Sequence, residues 1–164
     1  MQIRAARPQD AVAIAAIYNE GIEEGEATFE TRPQQAGDVA PWIERGALPV
    51  LVAEDGERVL GWAKLGRYSE RAYYGGVAEA SVFVARAGRG RGTGRALMEH
   101  LHAEAKAGGL WKVIALIFPE NAASVALFHD LGYRDVGTFH RHGRLDGAWR
   151  DVLLLERSVG EGAE

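Results

Sequence analysis

Short apolar runs alternate along this chain with turns marked by glycine, proline and aspartate, and the runs fall into two periodicities. Gln2–Ala6 is short and strand-like. Pro8-Gln9-Asp10 reads as a helix start, and Ile14, Ile17, Tyr18 and Ile22 then form one apolar stripe. Gly21 and Gly25 are expected to loosen the end of that helix, and Ala27–Thr31 reads as a short extended piece closed by Pro33. A second helix is predicted over Gly37–Arg45, with Pro41 early and Gly46 as its stop. Pro49–Glu54 and Arg58–Arg67 are predicted strands, joined by the hairpin signal Asp55-Gly56. Residues 68–76 form a polar, aromatic, glycine-containing loop before a strand over Val77–Val84. A glycine turn and a helix fill residues 88–107, ending at Gly108-Gly109. Lys112–Phe118 is a nearly continuous apolar run, as expected of a strand covered on both faces. Asn121 is a predicted N-cap for a helix through Leu131, stopped by Gly132. Tyr133–Arg141 and Ala148–Leu155 read as a final strand pair, with Asp146-Gly147 in the turn.

The predicted order is β-α-α-β-β-β-α-β-α-β-β, a mixed α/β domain with an antiparallel first half and one strand–helix–strand unit in the second. No repeat or linker breaks it, so one domain is expected over residues 1–159, with a frayed tail over 160–164. This is not a repeating βαβ chain, which makes a dinucleotide-binding fold a poor match.

Candidate chemistry starts at Arg89-Gly90-Arg91-Gly92-Thr93-Gly94-Arg95, between the strand Ser81-Val82-Phe83-Val84 and a helix with Leu97, Met98, Leu101 and Ala105 on one face. Glycines bring backbone N–H groups close to an anion, and a helix N-terminus favours negative charge. A phosphorylated ligand is the expectation. The formal net charge of −4 argues against a nucleic-acid partner, which wants a basic face. With no cysteine, disulfides, thiolate metal sites and a cysteine nucleophile are excluded. His100 and His102 diverge on a helix, and His140 and His142 share a strand face without an evident third ligand, so no metal is expected. The opening residues lack the apolar run of a signal peptide, and no apolar stretch reaches the roughly 18 residues of a membrane span. A cytoplasmic protein without membrane partners is expected.

Arg89, Gly92 and Gly94 fit the Gln/Arg-x-x-Gly-x-Gly/Ala motif of the GCN5-related N-acetyltransferases, and the element order fits that fold. Tyr18-Asn19, Ala27–Thr31, Glu79-x-Ser81-Val82-Phe83-Val84, Asn121-x-x-Ser124 and Gly143-x-x-x-Gly147-x-Trp149-x-Asp151-Val152 resemble the phosphinothricin and methionine sulfoximine acetyltransferase branch. The resemblance implies a mostly antiparallel, twisted sheet of about seven strands, splayed between the fourth and fifth after a bulge, with about four helices. It implies acetyl-CoA as co-substrate, a small-molecule amine as acceptor, and a homodimer.

It also implies roles. The turn Gly90–Arg95 would hold the CoA pyrophosphate on its N–H groups, with Arg89, Arg91 and Arg95 adding charge. Backbone groups of Val82, Phe83 and Val84 would pair with pantetheine, an N–H of Phe83 or Val84 would polarise the thioester carbonyl, and Asn121 would bond the pantetheine arm besides capping its helix. Glu79 occupies the general-base position, and partial burial there would raise its pKa. Phe29, Glu30, Arg71, Tyr73 and Tyr74 are the acceptor candidates, Arg71 pairing with an acceptor carboxylate or phosphinate and the aromatic rings forming walls. Trp149 and Asp151 are assigned to the hairpin and a dimer interface. Phe128 stands where the family usually has a proton-donating histidine or tyrosine, and His129, one residue on, is expected at the surface.

The implied reaction is direct acetyl transfer to the α-amine of a small amino acid or analogue in a ternary complex. The alternatives are another amine (a peptide N-terminus, polyamine or aminoglycoside) or a CoA-binding protein without turnover.

Overall fold

The computed structural model describes residues 1–160. The expected frayed tail lies outside the described residues except for Gly160. Seven strands form one sheet in the order β1-β2-β3-β4-β5-β7-β6. They are β1 (Gln2–Ala5), β2 (Val50–Asp55), β3 (Arg58–Arg67), β4 (Val77–Val84), β5 (Lys112–Ile117), β6 (Arg134–Leu145) and β7 (Ala148–Ser158). Four helices flank them: α1 (Ala11–Glu24), α2 (Ala36–Glu44), α3 (Thr93–Ala107) and α4 (Ala122–Asp130). All neighbouring strands are antiparallel except β4 and β5, which are parallel.

Strand alternation explains the apolar run in β2. Val50 and Val52 pack with Ile14, Ile17 and Val39 of α1 and α2, while Leu51 and Ala53 pack with Leu97, Met98 and Leu101 of α3. Both faces are covered, so both sets must be apolar. The coverage stops midway across the sheet. In β5, Val113, Ala115 and Ile117 join the α3 core, but Leu116 is 41% exposed. The expectation that β5 is covered on both faces therefore fails at Leu116, because α1 and α2 pack over the other half of the sheet. Fully burying a side chain such as Leu101 contributes about 1.5–3 kcal/mol.

Three other expectations are corrected. Gly21 does not loosen α1, which continues to Glu24. A Cβ at Gly21 would lie 2.7 Å from the Phe83 ring, so the absent side chain lets α1 approach β4. Ala27–Thr31 pairs with no strand and forms bends instead. The last hairpin is longer than predicted, β6 reaching Leu145 and β7 Ser158, with a register shift between Phe139 and Gly143. Arg141 (φ 50°) lies in that shift, a deviation that apolar patterning does not encode.

Candidate active site

The central feature is a parting of two strands. β4 meets β5 only over Val77–Glu79 with Lys112–Ile114, after which the strands separate. The β3–β4 ladder keeps one register from Gly61↔Val84 to Arg67↔Ala78. The splay is therefore present without the bulge that the resemblance implies. Between the strands lies a cavity of about 1060 Å³, lined by the turn before α3, by residues of α1 and α2, and by Ala27–Glu30.

Alternation decides which backbone groups face this opening. The Ala85 N–H donates to the Leu60 carbonyl at 2.8 Å, so Ala85, Phe83, Ser81 and Glu79 turn their backbone groups toward β3. The intervening residues face the other way. Gly76 there accepts from the N–H groups of Trp111 and Lys112 at 2.9 and 3.2 Å. The Glu79↔Ile114 pairing engages the Ala80 N–H, and past it there is no β5 residue in register. The C=O of Ala80, the N–H and C=O of Val82 and the N–H of Val84 therefore face the cavity, while the Val84 C=O accepts from the Arg89 side chain at 3.4 Å. Such groups seek a partner, from water or a ligand. Of the residues expected to meet pantetheine, Val82 and Val84 present backbone groups to the cavity, whereas Phe83 turns its own to β3. The Phe83 ring still lines the cavity, stacked on Trp62 at 4.9 Å with an interplanar angle of 14°.

At the donor end, Gly90 and Gly92 take left-handed φ values of 71° and 76°, which disfavour a side chain. The Thr93 hydroxyl donates to the Gly88 carbonyl at 2.9 Å and fixes the turn. The first backbone bond of α3 runs from Ala96 to Gly92 (3.0 Å), and no side chain caps the helix. The N–H groups of Thr93, Gly94 and Arg95 are thus left free at the positive end of the helix dipole. The arginines are already engaged. Arg89 pairs with Glu24 at 3.0 Å, Arg91 with Asp55 at 2.7 Å, and Arg95 with Asp130 and Glu99 at 3.4 and 3.6 Å. All are well exposed, so these pairs are weak and exchangeable. Arg91 does not line the cavity, so the groups this turn offers an anion are principally backbone.

The Asn121 carbonyl oxygen accepts from the Ser124 N–H at 3.2 Å, the predicted cap, and Asn121 lines the cavity. Phe128 is buried, packed edge-on against Tyr133 at 4.8 Å, and also reaches the cavity wall. His129 is exposed and bound to Asp135 at 2.7 Å, as expected.

Glu79 lines the cavity where β4 and β5 begin to part. Burial pushes its carboxyl above the usual range, and nearby Lys64 partly opposes this. Lys64 is itself pushed down by burial and held up by Glu79. Its ammonium lies 4.3 Å from the centre of the Trp42 ring. Patterning missed Lys64, although a lysine within Leu60-Gly61-Trp62-Ala63-Lys64-Leu65 was a signal, since it shares its face with buried Trp62.

Of the acceptor candidates, Phe29 and Glu30 line the cavity, with Phe29 edge-on to Phe118 at 4.7 Å. Arg71, Tyr73 and Tyr74 are exposed on the 68–76 loop and are not part of the wall. Arg71 donates to the Tyr73 hydroxyl at 2.9 Å. Trp149 lies against the guanidinium groups of Arg144 and Arg141, and Asp151 accepts from the Arg141 N–H at 2.8 Å, so both shape the hairpin. The register shift also separates His140 from His142. His140 bonds Asp151, whereas His142 stacks on Phe139 and reaches the cavity. His100 bonds its own helix at the Ala96 carbonyl, and His102 is buried against Tyr133.

Residues 3–154 match the Acetyltransferase (GNAT) domain family. The chain is 32% identical to an L-methionine sulfoximine/L-methionine sulfone acetyltransferase of Salmonella typhimurium, covering 99% of this chain and 97% of that one. It is equally identical to a phosphinothricin N-acetyltransferase of Streptomyces coelicolor, covering 97% and 96%. The solved structure of yncA, an acetyltransferase from Salmonella typhimurium with its cofactor acetyl-CoA, superposes with a TM-score of 0.94 at 32% identity, covering 100% of this chain and 96% of that one. The parted strands, the open helix N-terminus and these likenesses lead to one conclusion: the chain belongs to the GNAT family of acetyl-CoA-dependent N-acetyltransferases.

Proposed function

We propose that this enzyme transfers the acetyl group of acetyl-CoA to the primary α-amine of a small amino acid or analogue, of the phosphinothricin or methionine sulfoximine type. The observation that carries this reading is the convergence of three features in one cleft. The free N–H groups in the first turn of α3 suit a pyrophosphate. The open backbone groups of Val82 and Val84 suit the amides of pantetheine. Glu79, partly buried beyond them, suits a base near the thioester. The two curated relatives are named for small amino acid analogues.

In this reading Glu79 takes a proton from the acceptor ammonium, directly or through water. The amine nitrogen then attacks the thioester carbonyl carbon, while an N–H of Val82 or Val84 stabilises the charge on its oxygen. The C–S bond breaks as the amide forms, and CoA leaves as thiolate. Phe128 has no proton to give, so the thiolate is protonated by water or by the proton released from nitrogen. Phe29 and Glu30 border the acceptor space, and Asn121 borders the pantetheine path. A homodimer through the β6–β7 hairpin and a cytoplasmic location belong to the same reading. Exposed Val136, Phe139 and Trp149 on that hairpin favour the first.

An assay of CoA release across amino acids, polyamines, aminoglycosides and peptides tests the proposal. Turnover is expected with amino acids, phosphinothricin and methionine sulfoximine included. Turnover confined to polyamines, aminoglycosides or peptides would contradict it, as would tight CoA binding with no acceptor at all.

A further inference from the structure

Four basic side chains line the cavity: Lys64, Arg89, Arg95 and His142. The two arginines pair with carboxylates at the surface. Lys64 alone among the lysines and arginines of the wall has no carboxylate within 4 Å among the described residues. It is half-buried, and its ammonium rests against the Trp42 ring at 4.3 Å. A half-buried cation without a close counter-ion is costly, and an anionic ligand removes that cost.

The register places this cation beside the base. Lys64 is opposite Ser81, and Gly66 is opposite Glu79, so Lys64 and Glu79 are diagonal neighbours on one face of the β3–β4 pair. Diagonal side chains in such a pair stand roughly 7–8 Å apart at their roots, within reach of long side chains. A cation and a carboxylate at that separation complement a zwitterion, whose ammonium and carboxylate share one carbon. The acceptor ammonium would approach Glu79 and its carboxylate Lys64. A polyamine would instead bring positive charge toward Lys64. The loop residue expected to bind the carboxylate, Arg71, lies outside the wall and bonds Tyr73.

We propose that Lys64 binds the α-carboxylate of the acceptor and so makes this site selective for zwitterionic α-amino acids. The proposal rests on the amino-acid reading above and names the residue that enforces it. It leaves the chemical step with Glu79 and gives Lys64 an effect on acceptor affinity.

The test compares an amino acid acceptor with its primary carboxamide and its decarboxylated amine, in the wild type, Lys64→Met and Lys64→Arg. In the wild type, kcat/KM favours the acid. In Lys64→Met the KM for the acid rises about 10- to 100-fold, the size expected for losing a charged hydrogen bond. Measured on the pH plateau above the Glu79 limb, the values for amide and amine change less than about threefold, and so does the KM for acetyl-CoA. Because variants are compared on the same compounds, differences in amine basicity cancel. Lys64→Arg retains most of the acid preference, and unchanged thermal unfolding of Lys64→Met excludes a folding defect. An unchanged acid-to-amide ratio in Lys64→Met would overturn the proposal, as would an equal loss of kcat on all three compounds. If the wild type turns over the amine and neither amino acid nor amide, the amino-acid reading itself fails, and the assay separates that result from a failure of Lys64 alone.

Discussion

At the residue scale the proposed chemistry turns on Glu79 and on how far it is withdrawn from water. Burial raises its pKa, and Lys64 moderates the rise. A base is effective only when deprotonated, so kcat/KM should climb with pH through the raised pKa of Glu79. Removing the positive neighbour raises that pKa further, so the limb should move to higher pH in Lys64→Met. Glu79→Gln should lower kcat by about 10²- to 10⁴-fold while leaving the KM for acetyl-CoA within about threefold. Stopped initial-rate assays across pH check both, and an unchanged kcat would remove Glu79 from the mechanism. The place of Glu79 in the cavity wall was legible because it stands in a motif on a strand. Lys64 was not, because a single lysine in a strand reads as solvent-facing until α2 places Trp42 beneath it. The spacing of the loop arginine Arg71 to Tyr73 makes a local hydrogen bond, outside the cavity wall.

At the element scale the strands and helices were legible to within a few residues, since period-2 and period-3.6 patterns report which faces are covered. The parting of β4 from β5 was not legible from the residues themselves. Ala80–Val84 pair regularly with β3, and nothing in their side chains records that the other edge is unpaired. The turn before α3 is the complement: its glycines are legible as a tight turn suited to an anion, and the left-handed φ of Gly92 shows why glycine is favoured there. A β-branched residue there is strained by about 1–2 kcal/mol and displaces the free N–H groups. Gly92→Val should therefore raise the KM for acetyl-CoA about tenfold or more, with kcat changed much less. A kcat loss without a KM effect would place the turn in the chemistry instead.

At the scale of the whole molecule, folding places buried titratable groups that bias stability with pH. Burial and the neighbouring Arg157 push His102 from 6.5 down to about 4. Its Nδ1 accepts from Arg157 at 2.9 Å, while its Nε2 meets the Tyr133 hydroxyl at 2.8 Å. The unfolded chain takes up this proton before the folded one does. Stability should therefore fall as pH drops from about 6.5 to about 4, and His102→Gln should flatten that limb. Asp10 and Glu54, both held low by hydrogen bonds from Arg4, add loss in the same direction at lower pH. Denaturant unfolding at stepped pH values checks the slope, and a flat profile over that range would contradict it. The same fold brings the turn before α3, the open edge of β4 and Glu79 into one cavity, and in the proposed function both substrates are held together there when the acetyl group moves. The most direct test is an initial-velocity study varying acetyl-CoA against a turned-over amino acid, with the N-acetyl product identified. Direct transfer predicts intersecting double-reciprocal lines and a product acetylated on the α-nitrogen. Parallel lines, or acetylation at any other atom, would contradict it.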